Sequence, residues 1–507
     1  MGGALSVPFS GGFGGTASTA AEVTFYTDDG PLRCRGLRNS PRGEPMVVSF
    51  STTKAFGQAM GSFSLQLSVP HSGPDLFERI VDDTWLDIVA IVNGRRWHVL
   101  RGLTSGVTSE EMGAEVRYTV EGFDFGRVFD RTPIWFNVFR NEDAFSQALK
   151  IFEVPNVAGT PDEAVRRVIY GFLDSQVTAN RAGNWSLPEG MPGRRGSFPE
   201  TFEFDSSGFD AARDRRIAVS QQFMSPEGQS AWALAQEWSD PTFCELWCDL
   251  GTPGNAAVDP ETEASPGGGM LDPERPADET ATTMQVFFRD RPFIESDLGV
   301  QSPWFRLPTV DLVPHEISPL RLSTSGNERY NAFFVSPRVL QNAGVLQSLV
   351  GPLWDPADIE RHGLRSFNID SRYLSESPDL FTLTESLRKR ARDYHCLNPR
   401  LLSGTLNLVR WRPDIRIGYR VRIRDADPSH EIWAYVESVT QKWSLSGGGR
   451  TSLSVTRGWR GTEQANLDAV LQSASRYEYL LGHGDVLPLA VTTAGLSFFG
   501  SGRKVDP

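Results

Sequence analysis

From Tyr419 to Arg424 the side chains alternate without a break, with Tyr419, Val421 and Ile423 on one side and Arg420, Arg422 and Arg424 on the other. A period of two sends successive side chains to opposite faces of an extended chain, so this stretch reads as a strand with one buried face. It sits in a longer unit. Ile415 to Arg424 is followed by the turn-forming Asp425-Ala-Asp-Pro-Ser-His430, by Glu431 to Thr440, by the Gly-rich Ser446 to Arg450, and by Thr451 to Gly458. Those spacers carry turn chemistry. The unit Ile415–Gly458 is therefore expected to be a small antiparallel meander, and it holds no constellation of catalytic type.

A similar series lies near the other end of the chain. Asp87 to Val92 runs into Asn93-Gly94, then Trp97 to Leu103, then Val116 to Val120 with Gly122 behind it. Asn-Gly between two apolar runs is a strong hairpin signal. Both series read as strand, tight turn, Trp-containing strand, Gly/Ser loop, and a strand closing on glycine. In the second, the Trp is Trp433 and the closing glycine is Gly458. Further strand-like runs at Glu22–Thr27, Met46–Phe50 and Gly61–Val69 bring the N-terminal region to at least six short strands, the pattern of a sandwich or small closed barrel.

The expected fold class is β-rich α+β, with two related small β-barrels and an inserted mixed α/β middle region. The expected divisions are a flexible N-terminal arm at 1–20, a first barrel at 21–136, a mixed helical and strand insert with long loops at 137–300, the start of the second barrel with a linking helix at 301–400, the rest of that barrel at 401–460, and a C-terminal helix and tail at 461–507. In the middle, Asp143–Phe152 and Asp162–Val177 read as helices; Ala164, Val165, Val168, Ile169 and Phe172 recur at helical spacing behind Pro161. Ser225-Pro226-Glu227 reads as the start of a helix running through Trp238, with serine as N-cap. Thr242–Leu250 and Met284–Phe293 read as strands, residues 180–216 as a surface loop, and Gly251–Thr282 as a mobile excursion. Leu307–Val313 and Tyr330–Val335 continue the strand pattern, Thr384–Tyr394 reads as a basic helix, and Gln464–Leu481 as a last helix.

Composition excludes several function classes. A chain of 507 residues exceeds one core, and its 31 Phe and 13 Trp supply ample apolar surface. A formal charge of −13 argues against general nucleic-acid binding, which needs surplus Lys and Arg to neutralise phosphate. Four cysteines make no disulfide framework and point to a reducing compartment. No signal peptide and no membrane-spanning run is expected. Met1-Gly2 with Ser6 matches the myristoylation pattern at Gly2. Gly12-Phe-Gly14-Gly-Thr-Ala17 matches a dinucleotide fingerprint but lacks the strand and helix that such a loop requires.

The order Arg412-Pro-Asp-Ile-Arg-Ile-Gly418-Tyr-Arg-Val-Arg-Ile423, Trp433-Ala-Tyr-Val-Glu-Ser-Val-Thr440 and Thr451-Ser-Leu-Ser-Val-Thr-Arg-Gly458 resembles the C-terminal barrel of baseplate hub proteins of tailed bacteriophages, the late-control protein D / T4-type tail hub family. Trp85-Leu-Asp-Ile-Val and Val116-Arg-Tyr-Thr-Val-Glu-Gly-Phe-Asp124 resemble that family's first hub domain. The resemblance covers roughly residues 20–130 and 300–460. It implies a homotrimer whose two barrels per subunit make a six-barrel ring, matching a threefold spike protein to a sixfold tail tube. Implied with it are a virion tail-baseplate location, baseplate proteins as neighbours, and a channel for the tape-measure protein and for DNA that passes without specific binding. An acidic lining would not hold DNA back.

No catalytic residues and no cofactor are expected. His315-Glu316 and His430-Glu431 lack the second histidine of a zinc protease, and the chain has neither a nucleophile elbow nor a phosphate-binding P-loop. Cys244 and Cys248 are the candidates for a metal site. On a strand they would stand ~13 Å apart, too far to share an ion, whereas on a helix the spacing would work. Buried packing is the competing reading. Gly122, Gly418, Trp433 and Gly458 are expected to be structural. Arg420, Arg422 and Arg424, with Arg410, Arg412 and Arg416 upstream, are either an anion-facing or assembly stripe, or a solvated strand face paired with carboxylates; the second reading is preferred. The alternatives to a structural hub are a virion-associated cell-wall hydrolase, with 130–300 as the room for a catalytic insert, and a carbohydrate-binding β-sandwich module.

Overall fold

The computed structural model describes residues 19–36, 44–113, 115–131, 160–173, 187–188, 190–191, 202–209, 216–218, 229–251, 283–292, 304, 307–324, 330–337, 353–371, 373–375, 402–462 and 478–479. Seven strands open it: β1 (Thr19–Thr27), β2 (Gly30–Gly36), β3 (Met46–Ala55), β4 (Ser62–Pro70), β5 (Trp85–Val92), β6 (Arg95–Met112) and β7 (Glu115–Asp124). Helix α1 (Leu76–Arg79) lies between β4 and β5, and α2 (Arg127–Arg131) follows β7. Around the ring the order is β1-β5-β6-β7-β4-β3-β2, returning to β1, a closed barrel. Closure rests at one place on a single register pair, Arg35 with Met46.

The alternation in sequence builds this barrel directly. On β4, Phe63, Leu65, Leu67 and Val69 point inward and are buried, while Ser64 and Gln66 between them stay more open. At the β5–β6 turn Asn93 and Gly94 both have positive φ, 52° and 81°, the geometry that tightens a two-residue hairpin. Strand β2 is missing from the sequence reading, although Asp28-Asp29-Gly30 and the inward Cys34 beside outward Arg33 and Arg35 carry its signal. A buried ion pair lies on the outer face of the barrel, at positions that alternate with the inward Phe25, Leu86, Ile88 and Leu100. Arg101 donates to both Asp87 oxygens, at 2.7 and 2.9 Å, and the Tyr26 hydroxyl donates to the same carboxylate at 2.9 Å. Burial pushes the Asp87 carboxyl up, but the guanidinium outweighs it and holds Asp87 below the usual range.

The middle of the chain contributes α3 (Pro161–Phe172), β8 (Phe202–Gly208), β9 (Arg216–Ala218), α4 (Ala231–Trp238), β10 (Cys244–Gly251) and β11 (Thr283–Asp290). Strand β11 lies between β10, antiparallel, and β8, parallel. Helix α3 buries Ala164, Val165, Val168, Ile169 and Phe172, the residues its spacing predicts. Helix α4 starts later than expected. Its N-cap is Ser230, whose hydroxyl accepts from the Ala233 amide at 3.1 Å, and the Ser225-Pro226 signal lies outside the described residues.

The C-terminal half holds β12 (Thr309–Leu312), β13 (Ile317–Thr324), β14 (Ala332–Pro337), β15 (Leu353–Trp354), α5 (Pro356–His362), β16 (Ser366–Ser371), β17 (Tyr373–Ser375), β18 (Leu402–Leu408), β19 (Arg420–Ile423), β20 (Ile432–Ser444), β21 (Gly448–Arg460) and β22 (Glu478–Tyr479). The meander β19–β20–β21 is antiparallel. Its first run is shorter than the sequence reading has it, because Ile415 to Gly418 is non-strand backbone and Gly418 takes φ +81°. Glu478 and Tyr479, read from sequence as the end of a last helix, instead pair with Trp354 and Leu353, since a partner strand overrides local propensity. Gly2, the helices at 143–152 and 384–394, Cys396, the excursion after Gly251 and most of 180–216 and 464–481 lie outside the described residues.

The two ends of the chain share one strand order. In the second unit it is β12-β19-β20-β21-β18-β13, which corresponds one for one to β1-β5-β6-β7-β4-β3. The correspondence has two departures. β12 runs parallel to β19 where β1 runs antiparallel to β5, and among the described residues nothing takes the place of β2 between β12 and β13. A single strand joins the two units. The N-terminal half of β20 pairs with β19, and its C-terminal half pairs with β3, from Ser438 opposite Ala55 to Ser444 opposite Ser49. Trp443 on β20 and Trp411 before β19 sit in the core of the first barrel. There Phe50 stacks on Trp443 at 6.3 Å and tilts against Trp411 at 5.9 Å.

Truncating Trp443 to alanine removes an aromatic ring from the first barrel by a change in the second unit. A loss of about 3–5 kcal/mol is expected in urea unfolding, with faster amide exchange in β3 and β4. A change confined to β20 and β21 would contradict the shared core.

Candidate functional site

The sequence-predicted glycines occupy equivalent places. Gly122 on β7 faces a bulge in β6 between Thr104 and Gly106, and a side-chain carbon there would lie 2.2 Å from the Leu103 carbonyl. Gly458 on β21 lies beside a bulge in β20 between Trp433 and Tyr435, and a carbon there would lie 2.7 Å from the Trp433 carbonyl. In both units the closing strand passes so close to the bulged strand that only a hydrogen fits.

Trp433 is buried and stacks on Trp459 at 6.2 Å. Over its ring lie the guanidinium groups of Arg420 at 5.3 Å and Arg422 at 5.1 Å. Arg422 makes a two-bonded pair with Glu431, at 3.0 and 2.7 Å. Arg424 donates to Asp311, and Arg420 to the Thr309 hydroxyl, both on β12. Upstream, Arg412 pairs with Asp414. The outward face of β19 thus binds β12 and β20 of its own chain.

Cys244 and Cys248 stand on strand β10, both buried, and Cys244 approaches Asp290. Burial pushes the Cys248 thiol well above its ordinary value, which leaves little thiolate for chemistry or ligation. Among the described residues no group of three or more His, Cys, Asp or Glu is placed to hold a metal ion.

A cluster that the sequence reading did not single out forms where the first barrel, the middle sheet and the second unit meet. Lys54 of β3 reaches Asp249 of β10 at 2.9 Å and Asp124 of β7 at 3.3 Å. Arg416, on the approach to β19, donates to the same Asp249 oxygen at 2.9 Å and to the His98 carbonyl at 3.2 Å. Burial acts to raise the Asp249 carboxyl, but Lys54 and then Arg416 outweigh it and hold it low. Burial raises Asp124, and Lys54 offsets this only in part because its charge is shared. Burial lowers His98, and the nearby guanidiniums add to this against the opposing pull of Asp87.

A second cluster lies close by. Arg289 of β11 bonds Glu245 of β10 at 3.0 Å, the Tyr435 oxygen of β20 at 2.6 Å and the Gly418 carbonyl at 3.1 Å. Tyr435 in turn donates to Glu245 at 2.5 Å. Phe56 stacks on Tyr435 at 5.6 Å, and Arg289 lies over the Trp247 ring at 4.8 Å. Gly418 is held in this contact, since a side-chain carbon there would sit 2.5 Å from the Arg289 guanidinium.

Beside Lys54 and Arg416 is a cavity of about 30 Å³ lined also by Thr52, His98 and Gln441. That is room for a water molecule or two, far below the several hundred Å³ of a substrate pocket. Chemically, the arrangement is a clamp: charges from three parts of the fold neutralise one another in a place that water barely reaches. The sequence did hold one signal for it, Asp249 inside the apolar run Leu246-Trp-Cys-Asp-Leu250.

No protein-family profile matches the sequence, and no curated protein is significantly similar to it. Solved structures do resemble it. A tail protein from Neisseria meningitidis MC58 superposes with a TM-score of 0.45 at 10% identity, covering 86% of this chain and 96% of that one. The 43 kDa tail protein of prophage MuSo2 from Shewanella oneidensis gives 0.43 at 12% identity, over 86% and 98%. Prophage tail protein gp18 from Listeria monocytogenes EGD-e gives 0.39 at 9% identity, over 89% and 99%.

The two carboxylates of the clamp should respond differently to neutralisation. Asp249→Asn leaves Lys54 with Asp124 at 3.3 Å but takes the carboxylate from Arg416, and is expected to cost about 3–5 kcal/mol at neutral pH. Asp124→Asn keeps its backbone bonds and is expected to cost on the order of 1 kcal/mol. Because the Asp249 value is depressed in the folded state, its contribution is present above the unfolded-chain value near ~4 and fades as pH falls through the lower folded value. Urea midpoints across pH should show the Asp249→Asn penalty shrinking with acid. Equal penalties for the two variants would refute the assignment.

Proposed function

We propose that this chain is a structural subunit of a tail baseplate: a hub protein that forms a homotrimeric ring, joins the tail tube to a cell-piercing spike protein, and lines the channel through which the genome and the tape-measure protein leave. The observation that carries this is the repetition of one strand order in two units of a single chain, with Gly122 and Gly458 at matching bulges. Three copies of a chain with two similar units present six similar units around an axis, and such a ring can face a threefold body on one side and a sixfold tube on the other. The hub-like motifs of the sequence fall on β5–β7 and β19–β21, the strands that correspond.

Rigidity fits the role. The two units share β20 and the aromatic contact of Phe50 with Trp443, and the Lys54–Asp249–Arg416 clamp ties both to the middle sheet. A ring under load at ejection needs its two units fixed relative to each other. The charge of −13 lets DNA pass without specific binding. The place of such a protein is the virion tail baseplate, among other baseplate proteins, and it needs no cofactor and performs no catalysis.

Sedimentation of the purified chain, alone and with its spike, should give a trimer, and class averages of negatively stained particles should show a ring with six similar lobes. A monomer that persists with the spike present would sink the proposal. Peptidoglycan zymography should leave the gel uncleared, and a clear band would favour the cell-wall hydrolase instead.

A further inference from the structure

Two strand edges of this chain end without a partner among the described residues, and they are opposite in charge. The first is on β6. Strand β5 stops at Trp85, opposite Leu103, so β6 from Ser105 to Met112 pairs with β7 alone and leaves its other edge bare. This arm is largely exposed, its Met112 by 46%, and it carries Glu110 and Glu111 with Glu115 and Glu121 on the adjoining strand, all four exposed. The second edge is on β13, which pairs only with β18 and borders the gap where the first barrel has β2. Leu320 lies opposite the fully buried Leu406 yet is 43% exposed, and Val409, whose amide bonds the Glu316 carbonyl next to β13, is 59% exposed. Arg321 and Arg410 are exposed beside them.

We propose that the bare edge of β6, Ser105–Met112, pairs with the bare edge of β13 of a second copy of this chain. The first barrel of one copy then adjoins the second unit of the next. A bare edge next to exposed Leu320 and Val409 is an aggregation liability unless something covers it. Pro319 has no amide hydrogen, so the pairing stretch on β13 is Leu320–Thr324, about 16 Å of strand. Self-pairing of either edge opposes like charges, Glu110 and Glu111 in one case and Arg321 in the other. Pairing β6 with β13 opposes unlike ones. A contact between two different surfaces builds a ring when the rotation closes. The inference rests on the ring reading above and names its contact.

The test uses the full-length chain carrying Ser109→Cys and Ser323→Cys, treated with a short bis-maleimide whose reach tolerates a slip in register. Covalent dimers and trimers are expected from the double variant, with each single variant at the level of the unsubstituted protein. In a second arm, Arg321→Glu should weaken self-association at least tenfold by sedimentation, and adding Glu111→Arg should restore it. A trimer that sediments normally but gives no cross-link beyond the single variants overturns the edge pairing and leaves the ring standing. A chain that stays monomeric in every arm overturns both.

Discussion

One strand has to serve both a closed barrel and a second unit of strands. The thirteen residues of β20 must pair with β19 at one end, with β3 at the other, and with β21 along the whole length. A strand twists as it runs, and the bulges at Trp433/Tyr435 and Val436/Ser438 bend it between its two partners. Much else follows from that bend. The bulge brings the Trp433 carbonyl against β21, which requires glycine at 458. The far half of the strand delivers Trp443 into a core made mostly by the first hundred residues. The two units are consequently one mechanical body.

Burying charge at the seam is the second constraint. Lys54, Asp124, Asp249 and Arg416 come from four segments and are all shielded by protein, so each would be costly alone. Together they balance, two positive against two negative, and the arrangement is favourable only when all the segments are in place. The same logic holds for Arg289 with Glu245 and Tyr435. Such clusters contribute less to net stability than to uniqueness: a slip of β20 by one residue along β3 would leave charges unpaired in a dry place. The arginines of β19 are different. Half-exposed Arg424 with Asp311 adds little, and the stacking of Arg420 and Arg422 on Trp433 does more to fix β19 against β20.

Most of the first barrel was legible, because each strand buries one face and alternation reports that directly. Strand β2 escaped notice because two of its three exposed residues, Arg33 and Arg35, are charged and its two buried positions, Cys34 and Gly36, are small. The meander near the C-terminus was legible for the same reason, apart from Ile415–Gly418, whose apolar residues at alternate positions mimic a strand while the backbone turns at Gly418 to meet Arg289. The start of α4 was misplaced because a serine followed by proline is a strong local signal, yet Ser230 does the capping. The clamp was not legible. Lys54, Asp124 and Arg416 each sit in strand-edge or turn-like text where a charge is ordinary, and only their convergence on Asp249 makes them a site.

Alternating patterns, paired turns and the glycines that close each meander determined that this chain would be β-rich with two related units, because periodicity and close approach are local properties that a sequence records residue by residue. Tertiary structure alone decided that the units share β20, that the second lacks a counterpart of β2 among the described residues, and that four charges meet at Asp249. Those outcomes depend on which distant segments come together. Lys54 and Asp249 are separated by 195 positions, and no local preference of either residue encodes the other.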